Sequence, residues 1–213
     1  MLGILCGLAS EEKIARRIPC SIVACSSARP QRAKELARSL ANSEATRLLS
    51  FGIAGSLNSS FHLGDVVIGT QVRSSNGTWL CDEAWGQALS VKIPQAIFGK
   101  IYGSDVPVSS SSAKALTHRK TGCDIVDMES HGIAEAAAEA NLPLMVIRSV
   151  CDDCTMNVPR FLLAAVDAEG GFDLFRALRH LALHPLESPD FFRLIHGSRI
   201  ALDTLKTIRP YIA

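Results

Sequence analysis

Short apolar runs alternate along the chain with segments whose apolar positions recur every three or four residues. That alternation predicts an α/β protein with a largely parallel core sheet. Leu2–Gly7 reads as a strand that leads into a helix from about Ser10, with Ile14 and Ile18 on one face. Ser10 is a candidate N-cap, and Glu11 and Glu12 suit the first turn. Ser21–Cys25 reads as a strand and Pro30–Leu40 as a helix opened by proline. Leu48–Ile53 is the next strand; "GIAGSL" is expected to break it before "GDVVIGTQV" resumes in extended form. Residues 79–95 show weak periodicity and receive no assignment. Ala96–Tyr102 reads as a strand, and 109–119 as loop then helix. Glu129–Ala140 is a helix stopped by Asn141 and Pro143, and Leu144–Val150 is a buried strand. From Pro159 the chain reads as two or three helices separated by "AEGG" and "HPLESP". No repeat or linker interrupts it, so residues 1–213 are expected to form one domain with a helical part from about 159.

The stretch "VDMESHGIAEAAAEANLPLMVIRSVCDD", residues 126–153, sets acids at both ends of the best core segment. Buried carboxylates are costly unless paired, bonded or used. On a helical wheel Glu135 and Glu139 share one face and read as solvated. Glu129 falls on the side of Ile133 and Ala137, where it either answers the helix dipole or faces a pocket. Asp152 follows an apolar strand, and ligands of open α/β sheets bind beyond the carboxyl ends of strands. It is a site candidate or a cap for a following helix.

Composition narrows the class. The 213 residues are 47% hydrophobic and 20% charged, which suits one globular core, and the formal net charge is +1. That balance gives no electrostatic case for nucleic acid or a membrane surface. No apolar run approaches the ~20 residues that cross a bilayer. The opening "MLGILCGLASEEK" has no basic leader and reads as a buried first strand. Seven irregularly spaced cysteines are expected to be reduced thiols in a cytoplasmic protein. Cys151 and Cys154 lack a second pair or a nearby histidine, and His180 and His184 lack a third ligand, so no metal site is expected.

Taken together, "VDMES…IAEAA…LPLMVIRSVCDD", "FGIAGSLNSSFHLGDVVIGT" and "GILCGLASEE" resemble the purine nucleoside phosphorylase and methylthioadenosine/S-adenosylhomocysteine nucleosidase superfamily. The likeness covers most of residues 1–155. Within it, "GLASEEKIARR", "SSARPQRAKELARSL", "GSDVPV" and the tail resemble the hopanoid-associated phosphorylases, also described as adenosylhopane nucleosidases. The resemblance implies a three-layer α/β/α fold around a mixed, barrel-like sheet, and cleavage of a purine nucleoside at its N-glycosidic bond. By position, Met128 and Glu129 would hold the ribose, and Asp152 would assist departure of the purine. Ala54 and Gly55 would line sugar and base. Glu12 falls at the acidic turn that orients the attacking water, although a one-residue shift puts Glu11 there. Val106, within "GSDVPV", is assigned to the substrate site in a stretch that lacks the adenine-stacking aromatic of many relatives. Relatives imply a homo-oligomer.

The chemistry agrees with these roles. A protonated Asp152 donating to N7 spares adenine from leaving as an anion. A carboxylate at Glu129 stabilises the oxocarbenium-like ribose. Arg148, roughly 13 Å from Asp152 along a strand, is expected to serve the sheet or Glu129 instead. Arg29 and Arg32 open a helix after a strand and are candidates for a phosphate cradle, whereas Glu11 and Glu12 favour water. The subgroup resemblance favours phosphorolysis, with phosphate as co-substrate and no other cofactor, and hydrolysis as the close alternative. It also implies a large apolar 5′ group, for which Phe161, Leu162, Phe172, Phe175, Phe191, Phe192 and Ile195 offer surface. The rival readings are a methylthioadenosine/S-adenosylhomocysteine nucleosidase and a non-catalytic nucleoside sensor.

Overall fold

The computed structural model describes residues 1–158 and 188–212. Its strands are β1 (Leu2–Cys6), β2 (Ser21–Cys25), β3 (Arg47–Ser56), β4 (Val66–Arg73), β5 (Thr78–Leu80), β6 (Ile97–Gly103), β7 (Ile125–Asp127) and β8 (Leu144–Asp152). Its helices are α1 (Ala9–Ala15), α2 (Pro30–Ala41), α3 (Glu83–Lys92), α4 (Ser111–Thr121), α5 (Ser130–Glu139) and α6 (Ser188–Ile208).

All these strands join one mixed sheet. β1 lies between β2 and β3, parallel to both. β3 then pairs β8 in parallel, β8 pairs β4 antiparallel, β4 pairs β6 and β6 pairs β7 in parallel, and β7 returns antiparallel to β3. That circuit closes on itself, so the expected barrel-like sheet is present, with β1 and β2 as a parallel wing. The crossovers from β1 to β2 and from β2 back past β1 to β3 run in opposite directions, which puts α1 and α2 on opposite faces of the sheet. α6 packs beside α1, and α5 beside α2, which completes the three layers.

β8 is buried along its whole length, which is why its sequence is a near-continuous apolar run. Leu49, Phe51, Ile68 and Ile101 of neighbouring strands share its core, all fully buried. Two local expectations are corrected. α1 is capped at Leu8, not Ser10, because Glu11 reaches back to the Leu8 amide and sets the first turn two residues earlier. "GIAGSL" does not break β3; the strand runs through it with a bulge between Ala54 and Gly55. The unassigned stretch supplies β5 and α3, the latter capped by Asp82 through the Trp85 amide. In the tail, α6 is helical as expected, while His180, His184, Phe161, Leu162, Phe172 and Phe175 lie outside the described residues. No helix among the described residues is long and apolar enough to cross a membrane.

α6 approaches the sheet closely at Gly197, where an added Cβ would stand 2.1 Å from the carbonyl oxygen of Cys151. Backbone cannot yield there as a flexible side chain would. Gly197→Ala should therefore cost about 1–3 kcal/mol despite alanine's better helix propensity. In a domain of this size that lowers the thermal midpoint by about 3–10 °C. An unchanged midpoint in a thermal melt would show that α6 is not seated on β8.

Candidate active site

The described residues enclose a cavity of about 710 Å³ where β1, β3 and β8 end, beside the β7–α5 junction and under α6. Its polar residues include Glu11, Asp127, Glu129 and Asp152. Leu8, Ile53, Val108, Leu194, Ile195 and Leu202 give it apolar walls. The four carboxylates come from the α1 turn, the end of β7, the start of α5 and the end of β8, so the topology collects them from four places in the chain.

Glycines make room for three of them. A Cβ on Gly52 would lie 2.6 Å from the Glu11 carboxylate, one on Gly7 would lie 2.7 Å from that of Glu129, and one on Gly55 would lie 2.9 Å from that of Asp152. Glycine inside a strand marks a close approach. Here what approaches is a carboxylate, which explains the glycines within β3.

Glu11 is held by backbone alone. Its Oε2 accepts from the Gly7 and Leu8 amides at 2.8 and 2.9 Å, and its Oε1 from the Ile53 amide at 2.8 Å. A carboxylate has about four acceptor positions, so these bonds leave room for about one more donor. Burial still lifts its pKa above the ordinary value, against the pull of Arg148 and those three amides.

Arg148 sits fully buried in the middle of β8. Its Nε donates to Asp127 at 2.7 Å, and its Nη2 donates to the hydroxyls of Ser50 at 2.7 Å and Ser130 at 3.2 Å. Asp127 also accepts from the Ser130 amide at 3.0 Å and so caps α5. Glu129 stands farther off, 3.8 Å from Arg148. Arg148 thus serves Asp127 first, a partner the sequence did not suggest, and Glu129 only second.

At the other end of the cavity Asp152 is ion-paired with Lys114, a residue of α4 that is wholly buried. Lys114 Nζ also donates to the Asp153 carbonyl at 2.7 Å. The Cys151 thiol donates to Asp152 Oδ1 at 3.2 Å, and burial, then the Asp152 charge, pushes that thiol well above its ordinary pKa. Cys151 is therefore a neutral donor.

Of the residues singled out from sequence, Glu11, Ala54, Gly55, Met128, Glu129 and Asp152 all line the cavity. Glu12 does not. One residue along the helix turns it outward, where it pairs with Arg16 at 2.6 Å. Val106 is exposed and points away, because the Ser104 hydroxyl bonds the Val106 carbonyl at 2.6 Å and folds a turn. Pro107, Val108 and Ser109 face the cavity in its place. Arg29 and Arg32 are both exposed and neither lines the cavity. Phe191 belongs to the core and Phe192 to the surface, so among the described phenylalanines neither forms the apolar wall; Ile195 does. Lys114 escaped the sequence reading because its partner lies 38 residues away and buried lysines are rare. Among the described residues no group of His, Cys, Asp and Glu could hold a metal ion, and the seven cysteines are free thiols.

A family model described as "Phosphorylase superfamily" matches residues 18–178. No curated protein matches the chain. Among solved structures, the fold is similar to the 5′-methylthioadenosine/S-adenosylhomocysteine nucleosidase of Neisseria meningitidis in complex with methylthio-immucillin-A. That match has 16% identity and a TM-score of 0.76, over 99% of this chain and 97% of that one. The Streptococcus relative, a nucleosidase of the same name from S. pneumoniae, gives 16% and 0.72 over 100% and 99%. Futalosine hydrolase of Helicobacter pylori gives 16% and 0.70 over 97% and 96%.

The cavity makes stability depend on pH. Burial, reinforced by the Asp127 charge and opposed by Arg148, pushes Glu129 up to about 8 from an ordinary 4.5. Between those values the folded protein keeps a proton that the unfolded chain has lost. The resulting stability is full below about 4.5, declines as pH rises, and is gone above about 8. Glu129→Gln removes this titration. Relative to that variant, the wild type should lose about 2 kcal/mol or more between about pH 5 and about pH 8 in urea unfolding. A difference that stays constant with pH would show that Glu129 titrates normally.

Proposed function

The chain belongs to the phosphorylase superfamily, and we propose that it cleaves the N-glycosidic bond of an adenine nucleoside with water as the acceptor. The observation that carries this reading is the convergence of Glu11, Glu129 and Asp152 on one cavity, each seated against a glycine. Asp152 faces the purine and passes a proton to N7 as the C1′–N9 bond breaks, so the base leaves neutral. Met128 and Glu129 hold the ribose. As positive charge grows on the sugar, the Glu129 carboxyl loses its proton to water, and the resulting carboxylate stabilises that charge. Glu11, with room for one more hydrogen bond, orients a water and takes its proton when oxygen attacks C1′. Ala54 and Gly55 close the site with backbone.

Water is favoured over phosphate because Glu11 is inside the cavity while Arg29 and Arg32 stand outside its lining. One feature supports phosphorolysis as a second reading. Ser27 and Ala28 both adopt left-handed backbone, with φ of 57° and 54°, and bring Ala28 to the cavity edge just before Arg29. Adenine release assayed with and without phosphate separates the two. Hydrolysis gives free ribosyl product at a phosphate-independent rate; a rate that rises strongly with phosphate, with ribose 1-phosphate as product, would replace it with phosphorolysis. In the same assay Asp152→Asn and Glu11→Gln should each lose at least ~100-fold in turnover, while Glu12→Gln should stay within about twofold, as expected of a surface pair.

For the 5′ side of the sugar, we propose a large apolar substituent, adenosylhopane being the candidate that the sequence resemblance implies. Leu194, Ile195 and Leu202 of α6, which line the same cavity as Leu8, support it, because they offer hydrocarbon beside the polar Ser198 and Arg199. Covering ~200 Å² of hydrocarbon at ~25 cal/mol per Å² is worth about 5 kcal/mol before ordering costs. Adenosine with a bulky apolar 5′ group should then exceed methylthioadenosine by at least ~100-fold in kcat/KM. Methylthioadenosine as the better substrate would instead favour the second reading, a methylthioadenosine/S-adenosylhomocysteine nucleosidase, which the fold neighbours support.

A further inference from the structure

The Lys114–Asp152 pair is more than a buried ion pair of the core. Lys114 has no exposed surface, and its ammonium donates to Asp152 Oδ2 and to the Asp153 carbonyl, the latter at 2.7 Å. It does not line the cavity, whereas Asp152 does. Its helix is stitched to the segment that follows β8. Ser110 caps α4 through the Ala113 amide, the Ser111 amide donates to Asn157 Oδ1 at 3.0 Å, and the Val158 amide donates to the Ser109 carbonyl at 2.6 Å. The start of α4 is therefore locked to the end of the strand that carries Asp152. Gly55 beneath and Cys151 beside it complete the fixed geometry of that carboxylate.

We propose that Lys114 is the positioning residue for departure of the base: it fixes Asp152 toward the purine end of the cavity and supplies the proton that Asp152 passes on. The inference rests on the reading above that Asp152 faces the purine. As the C1′–N9 bond breaks, its electron pair moves onto the purine. Asp152, a carboxylate in its ion pair, takes a proton from the Lys114 ammonium and gives it to N7. The base leaves neutral, Asp152 ends as a carboxylate, and Lys114 ends as an amine that water re-protonates after product release.

The test compares two leaving groups. Adenine leaving from 5′-methylthioadenosine needs a proton; 4-nitrophenolate leaving from 4-nitrophenyl β-riboside does not. Lys114→Met should lose at least ~100-fold in kcat on methylthioadenosine and less than about fivefold on the nitrophenyl riboside. Lys114→Arg keeps a cation against Asp152 but cannot surrender its proton. It should lose at least ~10-fold on methylthioadenosine and again spare the nitrophenyl riboside. If the methionine variant fails to fold, as judged by circular dichroism and thermal melting, the arginine variant carries the same comparison. Equal losses on both substrates would make Lys114 a structural residue and overturn the proposal, as would wild-type adenine release by Lys114→Arg. A wild-type enzyme that frees no adenine from any adenine nucleoside fails in a different arm, overturning the proposed function and this inference with it.

Discussion

Withdrawing Glu11, Asp127, Glu129 and Asp152 from water within one core is the constraint around which the structure is arranged. Each buried charge costs several kcal/mol unless a partner repays it. The cations present are unequally shared. Arg148 gives its close contact to Asp127 and ties Ser50 on β3 to Ser130 on α5, while Lys114 gives its contact to Asp152. Glu11 is left with backbone amides and Glu129 with a distant guanidinium. Both carboxyls are accordingly pushed above their ordinary pKa by burial. The two carboxyls with no close cation are those proposed to meet the water and the cationic sugar, where negative charge is needed only once the reaction begins.

That division follows from the sheet. Because β3 lies between β1 and β8 and also receives β7, the ends of these strands open onto one cavity. Gly7 follows β1, and Gly52 and Gly55 lie in β3. Any side chain at these glycines would collide with a carboxylate and displace it. Asp127 then acts as a strut: it caps α5 and holds Arg148, which keeps Glu129 at the helix start and at the cavity. Placement of the acids depends here on absent side chains as much as on present ones.

These features were unequally legible in the sequence. Asp152 was readable because it ends a long apolar strand, and Glu129 because its helical face is that of Ile133 and Ala137. The choice between Glu11 and Glu12 was not readable: neighbouring helical residues point ~100° apart, and the decisive cap is Leu8, a residue type with no capping side chain. "GIAGSL" looked like a break because glycine disfavours strands, whereas here it marks the close approach of Glu11 and Asp152. Val106 failed because one hydroxyl–carbonyl bond from Ser104 rotates the loop and hands the lining to its successors. Lys114 had no local signal at all, since only the closed sheet and the stitched start of α4 bring it to Asp152.

The apolar walls belong to the same electrostatic argument. Leu8, Ile53, Val108 and Leu194, Ile195 and Leu202 of α6 put hydrocarbon, which disfavours water, at the edge of a site whose charges act most strongly when dry. An apolar 5′ group lying on Leu194, Ile195 and Leu202 would extend that exclusion over the sugar. Its binding energy would be spent partly on removing water from the Glu129 carboxyl, the step that makes the carboxylate effective against an oxocarbenium. A small substituent leaves that side wet and weakens the same interaction. Substrate size and chemical rate are thereby coupled, so a preference for a large apolar tail should appear in kcat as well as in KM.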